Sequence, residues 1–340
     1  MGKLRHISVT SWRNRVGTVM GESTQEFSKA SAVAADRIAG VVCETPLIRS
    51  TAFSEATDAD VYLKLENRQH TGSFKLRGAT NCLMSLSDEQ RAAGCVTASS
   101  GNHGAAVAYA MRELGMSGII FVPEQTSSAK VDAIKSYGSE ARFFGTDGLD
   151  TELEARSHAA NHGMYYVSPY NDSTVIAGQG TCGIEIVNQL PDVDAAFIAV
   201  GGGGLISGVG SVLKQHNPDL TLFGCQPEAS AVMAKSVAAG ELLDLPSEET
   251  LSDGTAGGIE PNAITFDLCR ELVDEFVLVS EAEIAAAMRQ YMTVEDDQIE
   301  GAAGVAIAAL TASKNGIEGR KVAVIICGGN ISAATLGKVI

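Results

Sequence analysis

The sequence predicts an α/β protein built on two parallel-rich sheets covered by helices, and three observations carry that prediction. From about residue 60 onward, strand-like runs alternate with helical runs, as expected for strands joined by helical crossovers. Glycine is abundant, with 36 residues in a chain of 340, and aromatic residues are only 5%, a composition that suits tight strand-to-helix turns. The strand-like runs are too many for one compact sheet of ordinary size, and the chain is long enough for two lobes.

Each element follows from its local pattern. Short apolar runs rich in β-branched residues read as buried strands, and each is followed by a stretch with apolar residues at helical spacing. VYLKLE (61–66) precedes a helix in which Ser73 is the expected N-cap and Lys75 lies in the first turn. GCVTAS (94–99) precedes HGAAVAYAMRELG, GIIFVP (118–123) precedes SAKVDAIKSYG, and ARFFG (141–145) precedes DTELEARSHAANHG. MYYVSP (164–169) leads to TVIAGQGTCGIEIVNQL, AAFIAVGGGG (195–204) to LISGVGSVLKQ, and TLFGCQP (221–227) to SAVMAKSVAAG. FVLVS (276–280) leads to EAEIAAAMRQYM, and KVAVIICGG (321–329) nearly closes the chain. Residues 1–27, which carry Lys3, Arg5, Arg13 and Arg15 but no acid before Glu22, are expected to form a disordered arm outside the fold. A transit peptide and a start at Met20 are the alternatives.

Composition excludes several classes of function. The formal charge is −16, from 25 basic and 41 acidic residues, which argues against nucleic acid or another polyanion as partner. Seven cysteines without a CxxC pair read as reduced thiols of a cytoplasmic protein, not as disulfides or a zinc site. No apolar run has the length of a membrane span.

Chemistry concentrates where strands run into helices. VGGGGLISG (200–208) leaves successive backbone N–H groups free at a helix start, which makes a phosphate cradle; a merely flexible turn is the alternative. ASSGNHGAA (98–106) crowds Ser99, Ser100, Asn102 and His103 around Gly101 and Gly104, offering hydroxyls, an amide and N–H groups to a carboxylate. For His103, capping or packing is preferred to a general-base role. ICGGN (326–330) sets Cys327 at the carboxyl end of a strand, the edge at which α/β sheets bind ligands, although a core thiol reads the same way. Lys75 is anomalous, because a helix N-terminus favours anions over an ammonium group. A lysine amine converging with a phosphate cradle points to a phosphorylated aldehyde held as an imine, for which pyridoxal 5'-phosphate is the standard case.

The motifs TGSFKLRGA, SSGNHG, VIAGQGT, GGGGLISG, SDGTAGG and CGGN, in that order over about residues 28–335, resemble the fold-type II pyridoxal-phosphate enzymes of the serine/threonine dehydratase and serine racemase branch. The resemblance implies a tryptophan synthase beta-like architecture, with a large cofactor-binding domain over 28–90 and 173–340 and a small mobile domain over 91–172. It implies that Lys75 carries the cofactor and takes the Cα proton, that Phe74 lies beside the ring, and that Asn102 bonds the ring hydroxyl. By the same likeness Gly201, Gly202, Gly203, Gly204 and Leu205 would bind the phosphate, and Cys327 would face the pyridine nitrogen. Ser99, Ser100, Gly101, Asn102 and His103 would hold the substrate carboxylate, with Gly254 on the substrate side. Ser100 matches the racemase's second acid/base.

The implied reaction is β-elimination on a hydroxy amino acid such as L-threonine or L-serine, giving a 2-oxo acid and ammonia in a homodimer or homotetramer. Gln226 and Val232 stand where metal-binding racemases use carboxylates, so no metal site is expected there. No C-terminal regulatory domain, and hence no allosteric feedback, is expected. The stretch SDGTAGGIEPNAITFDLC looks closer to a dehydratase-like subgroup linked to hydroxyectoine catabolism, which leaves a related hydroxy amino acid derivative, or a racemase-dehydratase activity, as the alternative. A β-replacement enzyme and a non-catalytic phosphate-binding module are the remaining rivals.

Overall fold

Eleven strands form two sheets in the computed structural model, which describes residues 5–9, 22–146 and 148–340. The strands are β1 (His6–Ser8), β2 (Leu47–Arg49), β3 (Asp60–Lys64), β4 (Cys95–Ala98), β5 (Gly118–Val122), β6 (Glu140–Phe143), β7 (Tyr165–Tyr166), β8 (Ala195–Ala199), β9 (Thr221–Pro227), β10 (Glu275–Val279) and β11 (Lys321–Ile325). The larger sheet has the order β1-β10-β9-β8-β11-β3-β2, and the smaller β6-β5-β4-β7. All neighbours pair parallel except the two edge strands, β1 on β10 and β2 on β3, which are antiparallel. Every residue of β8 is buried, because helices cover both faces of the sheet there.

Both antiparallel edges are absent from the sequence reading. Each is three residues long, too short to show alternation. Strand β1 also corrects the expectation of a disordered arm: His6 to Ser8 align with Val277 to Glu275, and Val9 is buried beside them. The helix Glu22–Ile38 likewise begins inside that arm. The other residues of the expected arm, 1–4 and 10–21, lie outside the described residues.

The helix Lys75–Ser85 starts later than its expected cap. Ser73 forms an antiparallel bridge with Gly328, and the chain enters the helix through Phe74 (φ −56°, ψ −22°) with no side-chain cap bond. Pairing with Gly328 holds the Ser73 backbone outside the helix, so its hydroxyl is buried without a partner among the described residues instead of capping. Lys75 is therefore the first helical residue.

The apolar face of this helix, through Leu76, Ala79, Cys82 and Leu83, belongs to the hydrophobic cluster of the smaller sheet's helices, with Val107, Met111 and Ile134. The helix therefore packs across the boundary expected near residue 90. The underside is pinned instead to the larger sheet by Arg77, which is fully buried. Its Nε and Nη2 donate to Glu66 at 2.7 and 2.8 Å, and Nη1 and Nη2 donate to Glu185 at 2.6 and 2.8 Å. Lys64 Nζ donates to Glu185 at 2.6 Å. Burial works against the Glu66 charge, but the Arg77 guanidinium outweighs it and holds the carboxyl below its usual range. Lys75 thus stands at the seam of the two sheets, fixed from both sides.

Candidate active site

Several strand ends meet at this seam. β3 leads to Lys75, β4 to Ser99 and Asn102, β7 to Pro169 and Tyr170, β8 to the glycines, and β11 to Cys327. Parallel strands with a common direction bring these carboxyl ends to one edge.

Lys75 Nζ donates to the Pro169 carbonyl at 2.8 Å and lies 5.2 Å from the centre of the Phe74 ring. Burial lowers its pKa to about 8, and nearby Cys327 and Glu300 only partly oppose this. The amine is thus far easier to deprotonate than a surface lysine, which answers the anomaly of a lysine at a helix N-terminus. Cys327 is buried beside it, its carbonyl accepting from Phe74 N–H at 3.0 Å. Burial raises the thiol well above its ordinary pKa, so it is neutral.

The four glycines form the expected turn. Gly203 has φ +87° and precedes the helix Gly204–His216, with no side chain capping that helix start. The first helical N–H groups are therefore free for an anion. Side chains are excluded all around: a Cβ at Gly201 would lie 3.0 Å from Thr255 Cα, and one at Gly202 2.5 Å from the Tyr170 ring. Thr265, whose hydroxyl is buried without a partner among the described residues, stands beside Gly203. Leu205 is buried in the first turn. A bare turn of free N–H groups, with an orphan hydroxyl at its side and a deprotonatable amine nearby, suits a phosphorylated aldehyde.

The second turn divides its labour. Ser99 Oγ accepts from Gly101 N–H at 3.2 Å. Ser100 is partly exposed at the helix entrance. The helix Asn102–Leu114 opens after Gly101 with no side-chain cap, leaving N–H groups for a carboxylate. His103 is buried with Nε2 3.0 Å from the Val167 carbonyl, and burial lowers its pKa to about 3. That contact ties the turn to the strand end beyond β7, and Nδ1 is buried without a partner among the described residues.

Asn102 reaches across to a residue that the sequence reading missed. Its Nδ2 donates to Glu300 Oε1 at 3.0 Å and Oε2 at 2.8 Å, and its Oδ1 accepts from Asn330 Nδ2 at 2.7 Å. Glu300 is 5% exposed, and burial raises its pKa to about 7 against the Asn102 hydrogen bond. Gly254 borders the same carboxyl: a Cβ there would lie 3.7 Å from Glu300 Oε1. The only signal for Glu300 in the sequence was its place just before a small-residue helix, Gly301–Ala312, a position that acids commonly occupy for other reasons. Pro169 and Tyr170 were likewise missed, having no side-chain pattern of their own.

Gln226 is spent on the fold. Its Nε2 donates to the Val200 carbonyl at 3.0 Å, and its Oε1 accepts from Ala234 N–H at 2.7 Å. Among the described residues no helix is long and apolar enough to cross a membrane.

Residues 38–328 match the model of the family described as pyridoxal-phosphate dependent enzyme. A putative threonine dehydratase of Sinorhizobium fredii is 40% identical over 299 residues, covering 88% of this chain and 90% of that protein. The processed form of threonine deaminase isoform 2 from Solanum lycopersicum superposes with a TM-score of 0.89 at 33% identity, covering 95% of this chain and 94% of the other. Maize serine racemase superposes with a TM-score of 0.86 at 32% identity, over 91% and 95% of the two chains. The chain belongs to the pyridoxal-phosphate dependent enzymes, in the fold-type II branch of threonine dehydratases and serine racemases, and pyridoxal 5'-phosphate is its cofactor.

Proposed function

We propose that the protein is a dehydratase, or ammonia-lyase, that removes the β-hydroxyl of L-threonine or L-serine and releases a 2-oxo acid and ammonia. The observation that carries this reading is the Lys75 amine, lowered to about 8 and held beside a glycine cradle at the junction of two sheets. The dehydratase and deaminase names of the relatives point the same way.

In this reading the N–H groups of Gly201 to Gly204 and Leu205 bind the cofactor phosphate, and Phe74 packs beside the ring. Asn102 donates to the ring hydroxyl, and the neutral Cys327 thiol meets an unprotonated pyridine nitrogen. The N–H groups from Ser99 to His103, with the Ser99 and Ser100 hydroxyls, hold the substrate carboxylate. Gly254 keeps the substrate side open. The cofactor supplies an electron sink for the Cα carbon. Lys75 Nζ would hold the cofactor and, as a free amine, would take the Cα proton. Elimination needs only brief carbanion character, because the departing hydroxyl carries the electrons away, so a neutral thiol at the nitrogen suffices. Ser100, which matches the racemase's second acid/base, would return a proton to the other face in a racemase side reaction, and the likeness to serine racemase supports that secondary activity.

Residues 91–172 act in this reading as the moving lobe. The accompanying assembly in this reading is a cytoplasmic homodimer or homotetramer. The test is a screen of the cofactor-loaded protein against L-threonine, L-serine, D-serine and 3-hydroxyaspartate. Release of 2-oxobutyrate from L-threonine or pyruvate from L-serine is expected. No 2-oxo acid or ammonia from any of the four would overturn the proposal, and preference for 3-hydroxyaspartate would move the substrate to a dicarboxylate.

A further inference from the structure

Asn102 is held more tightly than a ligand-binding amide needs to be. One carboxylate takes its nitrogen and a second amide takes its oxygen. Asn330, in turn, is fixed by donating to the Thr71 carbonyl at 2.8 Å. Because Asn330 donates from Nδ2 to the Asn102 oxygen and Glu300 lies at the Asn102 nitrogen with both oxygens in reach, the two partners together set the orientation of the Asn102 amide. The Nδ2 atom is nearly equidistant from both Glu300 oxygens, so one N–H points between them. The second N–H finds no protein acceptor among the described residues.

Glu300 reaches this position only because its surroundings yield space. A Cβ at Gly328 would lie 2.5 Å from Glu300 Oε1, so the carboxyl passes directly against the backbone next to Cys327. Its own N–H donates to the Gly328 carbonyl at 3.1 Å. Although Glu300 occupies the N-cap position of the helix Gly301–Ala312, its side chain makes no cap bond there. An acid that leaves its helix terminus unserved, and is buried to reach an amide across the seam, has a role at that amide.

We propose that Glu300 is a positioning residue for the cofactor ring: with Asn330 it locks the Asn102 amide so that the free N–H faces the ring hydroxyl. The inference rests on the reading that Asn102 serves that hydroxyl. It makes the hydroxyl's hydrogen bond depend on three residues from different elements: Asn102 from the smaller sheet's first helix turn, and Glu300 and Asn330 from the larger unit. The same contacts join the two sheets, so docking of the Asn102 turn and correct presentation of its N–H occur together.

The experiment compares Asn102→Ala, Glu300→Ala, Glu300→Gln and Asn330→Ala in cofactor-loaded protein, reading cofactor affinity by equilibrium dialysis and the balance of the visible and near-ultraviolet cofactor bands. Thermal unfolding of each cofactor-free variant checks folding, and the nearly isosteric Glu300→Gln keeps the test open if Glu300→Ala does not fold. Glu300→Ala is expected to weaken cofactor binding about tenfold, the loss of one charge-assisted hydrogen bond, and to shift the bands as Asn102→Ala does. Glu300→Gln, which retains one acceptor oxygen, should recover most of both properties, and Asn330→Ala should fall between. If Asn102→Ala leaves the bands unchanged, the placement of Asn102 on the ring hydroxyl has failed, and this inference with it. If Asn102→Ala shifts the bands while folded Glu300→Ala and Glu300→Gln match the wild type, the placement stands and the role of Glu300 is refuted.

Discussion

Replacing Gly203 by alanine tests the phosphate cradle. Gly203 has φ +87°, and a methyl there would lie 2.9 Å from Cys269 Sγ and 3.0 Å from Thr265 Cβ. Holding a non-glycine residue in left-handed backbone costs about 1–2 kcal/mol, and forcing a methyl into filled space costs about 1–3 kcal/mol. Together these come to about 2–5 kcal/mol, to be relieved by unfolding or by moving the turn. If the turn moves, the N–H groups ahead of the helix Gly204–His216 leave their common focus. The expected outcome is a lower unfolding temperature of the cofactor-free protein and cofactor lost on dialysis. Gly202→Ala has no positive φ to strain, but its methyl would meet the Tyr170 ring at 2.5 Å. It should weaken cofactor binding and be partly rescued by Tyr170→Ala, which vacates that space. A Gly203→Ala protein that melts with the wild type and keeps its cofactor through dialysis would refute the reasoning.

Four further outcomes follow from the site. Lys75→Ala should abolish dehydration while leaving weak, non-covalent cofactor binding through the phosphate; turnover near that of the wild type removes Lys75 from the mechanism. The neutral amine is the form that condenses with an aldehyde, so incorporation of pyridoxal phosphate into the cofactor-free protein should quicken as pH rises and level off above about 8. A rate that keeps climbing to the range of an ordinary lysine would contradict the burial argument. Cys327→Ser should retain much activity, since a hydroxyl can also contact an unprotonated nitrogen, whereas folded Cys327→Asp should favour ring protonation, lose elimination and gain side reactions; an unchanged spectrum and normal dehydration in Cys327→Asp would count against that contact. Arg77→Ala strands the buried Glu66 carboxylate and should lower stability by about 3–5 kcal/mol in denaturant titrations, and a loss below about 1 kcal/mol would mean that the network is incidental.

Much of the architecture was legible because parallel strands buried on both faces are written as uninterrupted apolar runs. AAFIA and VAVII read as strands of a covered sheet, and each was followed by a glycine turn. The lysine was legible for the opposite reason, as a residue at odds with its local setting. The edges were not legible. Three residues of β1 or β2 carry no periodicity, and only the open hydrogen-bonding flanks of β10 and β3 give them a place. Ser73 failed as a cap because its backbone was claimed by Gly328, which lies 255 positions along the chain.

By itself the sequence determined the buried parallel strands, the glycine turn, the lysine at a helix start and the family motifs that tie the chain to one cofactor, since each is encoded in a short stretch whose physics is local. Tertiary structure alone decided how the residues act on one another. The low pKa of Lys75 comes from burial at a seam between two sheets, and the tie of His103 to the chain beyond β7 from the Val167 carbonyl. Glu300 was one acid among 41 Asp and Glu residues until folding carried it 198 positions back to Asn102. Hydrogen bonds and desolvation depend on distance in space, and a chain that closes its site from five strand ends sets those distances only when the sheets meet.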